Sequence, residues 1–182
     1  MIKKNNIKNN LSSYKAKDLT GTITPPSDKS ISHRALLFSS LALGKSVISN
    51  ILDSEDVLNM VKALKALGVK IINKNNVYYV IGVGLNGFST PNQYIDCGNS
   101  GTLARILLGA VGGSKIFATF SGDTSLSSRP MDRVIKPLKK MGIYFDSINN
   151  KLPLIIKGSS DILPIKYTSP ISSAQVKTTI LL

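Results

Sequence analysis

One order of elements occurs twice in this chain and begins a third time, and that repeat limits its possible folds more than any other feature. Residues 30–43 have helical periodicity with Ile31, Ala35, Leu36, Leu37, Phe38, Leu41 and Leu43, which leaves almost no polar face and predicts a buried helix. Residues 55–67 place Val57, Met60, Val61, Leu64 and Leu67 on one stripe, with Asp56, Asn59, Lys62 and Lys65 opposite. This predicts a surface helix that ends at Gly68. VKIINKNNVYYVIG then reads as a hairpin turning at Lys74, Asn75 and Asn76 and closing at Gly82.

The second copy opens with an apolar helix over residues 102–111, carrying Leu103, Ile106, Leu107, Leu108 and Val111. The strand KIFATF follows, and then an amphipathic helix with Pro130 in its first turn and Val134, Ile135, Leu138 and Met141 inward. Pro137 predicts a kink, and Gly142 an end. The hairpin IYFDSINNKLPLIIKG turns at Asn149 and Asn150 and closes at Gly158. Matching glycines lie 74 residues apart at 68 and 142, and 76 apart at 82 and 158. Such a period is that of a whole supersecondary unit in an α/β protein. A third unit starts at SSAQVKTTILL and stops within an apolar helix at Leu182, the pattern expected of a piece of a longer chain.

Composition narrows the function classes. Of 182 residues, 42% are hydrophobic, enough for a buried core, and the longest apolar stretches, residues 35–43 and 106–111, are too short to span a bilayer. The start, MIKKNNIKNNLSSYK, has no apolar segment of a secretory signal, and a single cysteine, Cys97, permits no internal disulfide. Both point to a cytoplasmic protein, although a basic leader without acidic residues also fits an organellar presequence. Lysine and arginine total 23 against 10 acids, a net charge of +13 that raises nucleic acid as a partner. The distribution argues against it: only Arg34, Arg105, Arg129 and Arg133 are arginines, the lysines are scattered, and aromatics are 6% with no tryptophan. A small polyanion would benefit from the same field.

Small and polar residues precede each buried helix: Ser27 to Ser30, Cys97 to Thr102, and Pro170 to Gln175. A helix start presents unpaired N–H groups and the positive end of the macrodipole, which suits anions. Ser27, Asn99 and Ser172 taken singly are accounted for as N-caps, each worth about 1 kcal/mol. Three such starts, with Lys29, Arg34 and Arg105 inside or beside apolar helices, favour one anionic pocket. Arg129, at the mouth of the next helix, suits a two-pronged contact with carboxylate or phosphate, or a surface pair with Asp123 or Asp132. His33 and Cys97 read as structural. The sequence has no metal-ligand cluster, nucleotide fingerprint or P-loop.

The segments PSDKSISHRALLFSSLALGKSVISNIL, DCGNSGTLARILLG, SGDTSLSSRPM and SSAQVK resemble, in order and spacing, the signatures of the 5-enolpyruvylshikimate-3-phosphate synthase family. The resemblance implies the enolpyruvyl transferase fold, an inside-out α/β barrel of repeated βαβαββ units with buried helices and outer sheets, here incomplete. Residues 1–20 would belong to a second globe, and residues 21–182 to a partial globe with units 21–90, 91–160 and the start of a third, 161–182. It further implies transfer of the enolpyruvyl group of phosphoenolpyruvate to the 5-hydroxyl of shikimate 3-phosphate, without cofactor or metal and in a monomeric full-length enzyme with no nucleic-acid or membrane partner. By motif, Lys29, Ser30, Arg34, Ser172, Ser173 and Gln175 would bind shikimate 3-phosphate. Lys29, Asn99, Gly101, Arg129 and Gln175 would bind phosphoenolpyruvate. The general acid and base are expected in the absent globe, so this chain alone should bind weakly and catalyse little. Ser27 stands where glycine is frequent, Ala174 where one branch has serine, and His33 where another has asparagine. The related UDP-N-acetylglucosamine enolpyruvyl transferases carry a reactive cysteine in the arginine-proline loop, where residues 122–131 have serines. A non-catalytic anion-binding module is the alternative of a different class.

Overall fold

The computed structural model describes residues 12–15 and 17–182, so much of the expected leader, residues 1–11 and 16, lies outside the described residues. The first helix, α1 (Lys29–Leu41), is followed by strand β1 (Leu43–Ile48), helix α2 (Glu55–Ala66) and the hairpin β2 (Lys70–Lys74) and β3 (Val77–Val83). The second copy runs β4 (Ile95–Asp96), α3 (Gly101–Gly112), β5 (Phe117–Ser121), a short α4 (Thr124–Ser128), α5 (Asp132–Lys140), β6 (Tyr144–Ser147) and β7 (Leu154–Lys157). Helix α6 (Ala174–Leu181) follows.

The strands form two sheets of matching order, β1-β3-β2 and β4-β5-β7-β6. In the first, β3 pairs antiparallel with both neighbours, with Lys74 opposite Val77 across the turn. Asn75 and Asn76 both have positive φ, 50° and 61°, as a tight two-residue hairpin requires. The second sheet adds β4, parallel to β5. Only the second copy therefore shows the full βαβαββ order, because no strand precedes α1 among the described residues.

Helix α3 is the centre of the fold, with every residue buried except Arg105. It packs against α1 and α2 on one side and α5 and α6 on the other, with β7 beneath. The core runs from Leu36, Leu37, Met60 and Leu64 through Leu103, Ile106, Leu107 and Leu108 to Phe120 and Ile156. The apolar helix α1 is covered on one face only: Leu36 and Leu37 are fully buried, whereas Ile31 and Phe38 are 70% and 49% exposed. It also stops two residues earlier than its periodicity predicts, because Leu43 enters β1 opposite Val83. Helix α5 begins two residues after Pro130 and continues through Pro137.

The closing glycines of the two hairpins have one structural reason. A Cβ at Gly82 would collide with the carbonyl oxygens of Ser39 and Ala42 at the end of α1. A Cβ at Gly158 would meet those of Val111 and Ser114 at the end of α3. Each sheet is thus seated on the last turn of its own inner helix, at a distance that only glycine permits.

The two copies are tied together by a buried imidazole. His33 Nδ1 lies 2.8 Å from the Lys29 carbonyl, which can only accept, so Nδ1 carries the proton. Nε2 then accepts from the Ser100 hydroxyl at 3.3 Å, and Ser100 Oγ in turn accepts from the Leu103 amide. Burial, the largest influence, moves the His33 pKa below its ordinary value of 6.5, against the opposing pull of the Lys29 carbonyl and the Asp56 charge.

Two predictions follow from this packing. Gly82→Ala and Gly158→Ala should each cost about 1–3 kcal/mol in urea unfolding by overpacking. Gly113→Ala, with negative φ and no neighbour of a built Cβ nearer than 3.5 Å, should change little. The second concerns pH. The unfolded chain takes up a proton on His33 more readily than the folded one, so this contribution to stability is complete above about pH 6.5 and declines as pH falls through the lower folded value. Melting temperatures should show a smaller loss between pH 7.5 and 5 for His33→Asn than for the parent; equal losses would refute the assignment.

Candidate functional site

Three helix starts carry the polar residues singled out above, but the caps are one residue further along than expected. Asp28 accepts from the Ile31 amide at 2.7 Å, Ser100 from Leu103 at 3.3 Å and Ser173 from Val176 at 3.4 Å. Ser27, Asn99 and Ser172 are therefore not the caps, and capping does not explain them. Asn99 instead accepts from Arg129 Nη2 at 3.2 Å.

The starts of α1 and α3 and the first turn of α6 meet at one polar cleft of about 490 Å³. Its lining comes from four directions: Lys29 from α1, Glu55 and Asp56 from α2, Gly101, Thr102 and Arg105 from α3 with Asn99 just before it, and Gln175 from α6, with Arg129 at its mouth. Arg129 is aimed by the short helix α4, which Asp123 caps through the Leu126 amide at 2.7 Å and which buries Leu126. Its Nη2 also donates to Ser125 Oγ at 3.1 Å. Gln175 is held at both ends of its amide. Arg105 Nη1 donates to its Oε1 at 3.3 Å, and its Nε2 donates to Thr102 Oγ1 at 2.9 Å.

The charges in the cleft are unequally balanced. Lys29 Nζ is 2.9 Å from Asp56 Oδ2, an ion pair with the lysine half exposed and hence well screened. Arg105 has no ion-pair partner among the described residues and bonds only to the Gly101 carbonyl and Gln175. Burial first, and then the nearby positive charges of Arg129 and Arg133, weaken its hold on its proton, although guanidinium stays charged near neutrality. An anion entering here would relieve repulsion among three arginines and bond to guanidinium forks. Cys97, just before the α3 start, is fully buried; desolvation, with a smaller push from Asp96, raises its thiol pKa and keeps it unreactive.

Of the residues expected to bind substrates, Lys29, Asn99, Gly101, Arg129 and Gln175 line this one cleft. Ser30, Arg34, Ser172 and Ser173 do not. Arg34 spans from the Ser30 carbonyl to Thr178 Oγ1 at 3.1 Å, joining α1 to α6. Ser172 and Ser173 line a separate groove with Ile165, Tyr167 and Ile180. Sequence reasoning missed Glu55, Asp56 and Thr102 as lining residues. Asp56 sits on the polar stripe of an amphipathic helix, a pattern identical to that of a solvated face, so no local signal marked it.

A sequence model of the family described as EPSP synthase (3-phosphoshikimate 1-carboxyvinyltransferase) matches residues 13–182. The chain is 49% identical over 175 residues to the 3-phosphoshikimate 1-carboxyvinyltransferase of Rhodopseudomonas palustris (strain TIE-1), covering 94% of this chain and 39% of that protein. It is 47% identical over 179 residues to the enzyme of the same name from Nitrobacter winogradskyi, with 94% and 40% covered. Among solved structures, EPSP synthase from Acinetobacter baumannii superimposes with a TM-score of 0.83 at 38% identity, over 88% of this chain and 37% of that one. The chain thus spans about two fifths of the length of these relatives. No described helix is long and apolar enough to cross a membrane. With its repeated units, inner helices and outer sheets, the chain belongs to the EPSP synthase family.

Proposed function

We propose that this chain supplies the phosphoenolpyruvate- and shikimate 3-phosphate-binding half-cleft of a 3-phosphoshikimate 1-carboxyvinyltransferase. The observation that supports this reading is the convergence of Lys29, Asn99, Gly101, Arg129 and Gln175 on one polar cleft at the starts of three helices. In the reaction, the 5-hydroxyl oxygen of shikimate 3-phosphate adds to C2 of phosphoenolpyruvate while the methylene carbon takes a proton. The resulting tetrahedral intermediate then loses phosphate and a methyl proton to restore the double bond. Both substrates bring phosphate and carboxylate groups, the anions that guanidinium forks and helix-start amides accommodate.

In this proposal Lys29 contacts both substrates. Ser30, Arg34, Ser172 and Ser173 hold shikimate 3-phosphate, and Asn99, Gly101 and Arg129 hold phosphoenolpyruvate. Gln175, whose amide is fixed between Arg105 and Thr102, serves both. Proton transfer is assigned to carboxylates in the part of the relatives that this chain does not span, together with a second globe to which residues 1–20 belong. The units are 21–90, 91–160 and the start of a third, 161–182, and the setting is cytoplasmic.

Titration of the 182-residue chain with shikimate 3-phosphate should give saturable binding, and Lys29→Ala or Arg34→Ala should weaken it at least about tenfold, or 1.4 kcal/mol. Variants that bind within twofold of the parent would remove those two assignments. With phosphoenolpyruvate added, no steady release of phosphate is expected; sustained turnover would show that the chain provides its own acid and base. A chain that ignored shikimate 3-phosphate yet bound duplex DNA at physiological salt would overturn the enzyme reading altogether.

A further inference from the structure

The one histidine of the chain is fully buried, yet one of its partners, Lys29, lines the cleft and the other, Ser100, stands between Asn99 and Gly101, which do. Its Nδ1 bonds to the carbonyl of Lys29, the residue that opens α1. Its Nε2 bonds to Ser100, the cap that opens α3 between Asn99 and Gly101. The charged groups that face the ring are Asp56 on α2 and Lys29 on its own helix, and these two form the cleft's ion pair. One imidazole thus touches the starts of both helices and the field of the pair between them.

We propose that His33 is a positioning residue: as a neutral imidazole protonated on Nδ1, it fixes the start of α1 relative to the start of α3, and so the spacing between Lys29 and the Asn99–Gly101 segment. This goes beyond the substrate assignments above and rests on them only for its consequence in binding. Neither helix start touches the other through an ion pair, and α1 is covered on one face only. The imidazole adds to the packing of α1 on α3 a directional hydrogen-bonded link between the two starts, whose groups must grip one ligand together. Protonation would turn Nε2 from acceptor to donor. The Ser100 hydroxyl would then have to accept from both the ring and the Leu103 amide, and its own proton would lose its partner.

A single histidine gives one unambiguous pair of ring-nitrogen resonances, so a ¹⁵N-labelled sample of the full chain tests the geometry directly. At pH 7.5 the proton should reside on Nδ1 with Nε2 bare. On acidification, the amide resonances of Gly101 and Leu103 should move with the midpoint of Nε2, which should lie below 6.5. A proton on Nε2, or amides that ignore the imidazole midpoint, would overturn the proposal, and neither observation needs substrate. Binding of shikimate 3-phosphate then tests the consequence. Asparagine offers one donor and one acceptor on a short stem, so His33→Asn should bind within about threefold of the parent. His33→Leu, which offers neither, should bind at least about tenfold more weakly while remaining folded by circular dichroism. Equal affinities in the two variants would overturn the positioning role. If His33→Leu does not fold, the ring-nitrogen spectrum and His33→Asn decide the matter. If the parent itself fails to bind shikimate 3-phosphate, the substrate reading falls, while the spectrum still decides the role of His33.

Discussion

The burial of α3 on all sides is the constraint on which the rest of this structure depends. A helix with Leu103, Ile106, Leu107, Leu108 and Val111 fully buried has no face to give to water, so it requires neighbours around its whole circumference. Helices α1 and α2, α5 and α6, and strand β7 provide them. Such a helix still leaves its first N–H groups without intrahelical partners, and these must be met where the surrounding elements part. That parting is the cleft, and the only residue of α3 that is not buried, Arg105, projects into it. The position of the site is therefore a consequence of packing: the polar start of the central apolar helix lies where the surrounding elements part.

The electrostatics of that opening separate two kinds of cation. Lys29 meets a carboxylate, Asp56, so an anion arriving at Lys29 must compete with a charge already present. Among the described residues Arg105 and Arg129 bond only to neutral oxygens, and Arg105 feels the repulsion of Arg129 and Arg133. The arginine side gains both the new bonds and the relief of repulsion when a phosphate or carboxylate arrives, whereas the lysine side gains only the difference between two partners. An anion should therefore be drawn first to the arginine side of the cleft. The ammonium, on a flexible stem and half exposed, remains free to turn towards a second ligand.

Much of this was legible in the sequence because it is written locally. The helical periods of α2 and α3, the paired asparagines in left-handed conformation at both hairpin turns, and the glycines that seat the sheets all carry their own signals. Strand β1 has no local signal of its own, and only the βαβαββ order implied by the family resemblance calls for it. LGKSVI alternates poorly, exposes Leu43 and Val47, and is a strand because β3 offers it a full set of partners, which is a non-local fact. Helix α4 was missed for a similar reason: TSLSS has weak helix propensity, and the turn is held by the Asp123 cap and by burial of Leu126. In the site, charged residues at helix starts could be named from sequence, but Asp56 and the cap positions could not. A capping residue and its predecessor are both small and polar here, and only the backbone angles decide which of them turns its oxygen to the amides.

The repeat also explains how one scaffold yields a site with several kinds of ligand group. Helices α1, α3 and α6 each bring a first turn to the same opening, but each fills it differently. The first offers a cation, Lys29, directly after an acidic cap. The second offers the backbone at Gly101, where an added Cβ would meet the Arg105 guanidinium and displace it. Helix α6 offers a neutral amide, Gln175, held by Arg105 and Thr102 of α3. A charge, a bare backbone and a fixed amide converge because three similar helices share one core and therefore one end. The same packing that closes the apolar interior brings their unlike first turns within reach of a single small molecule.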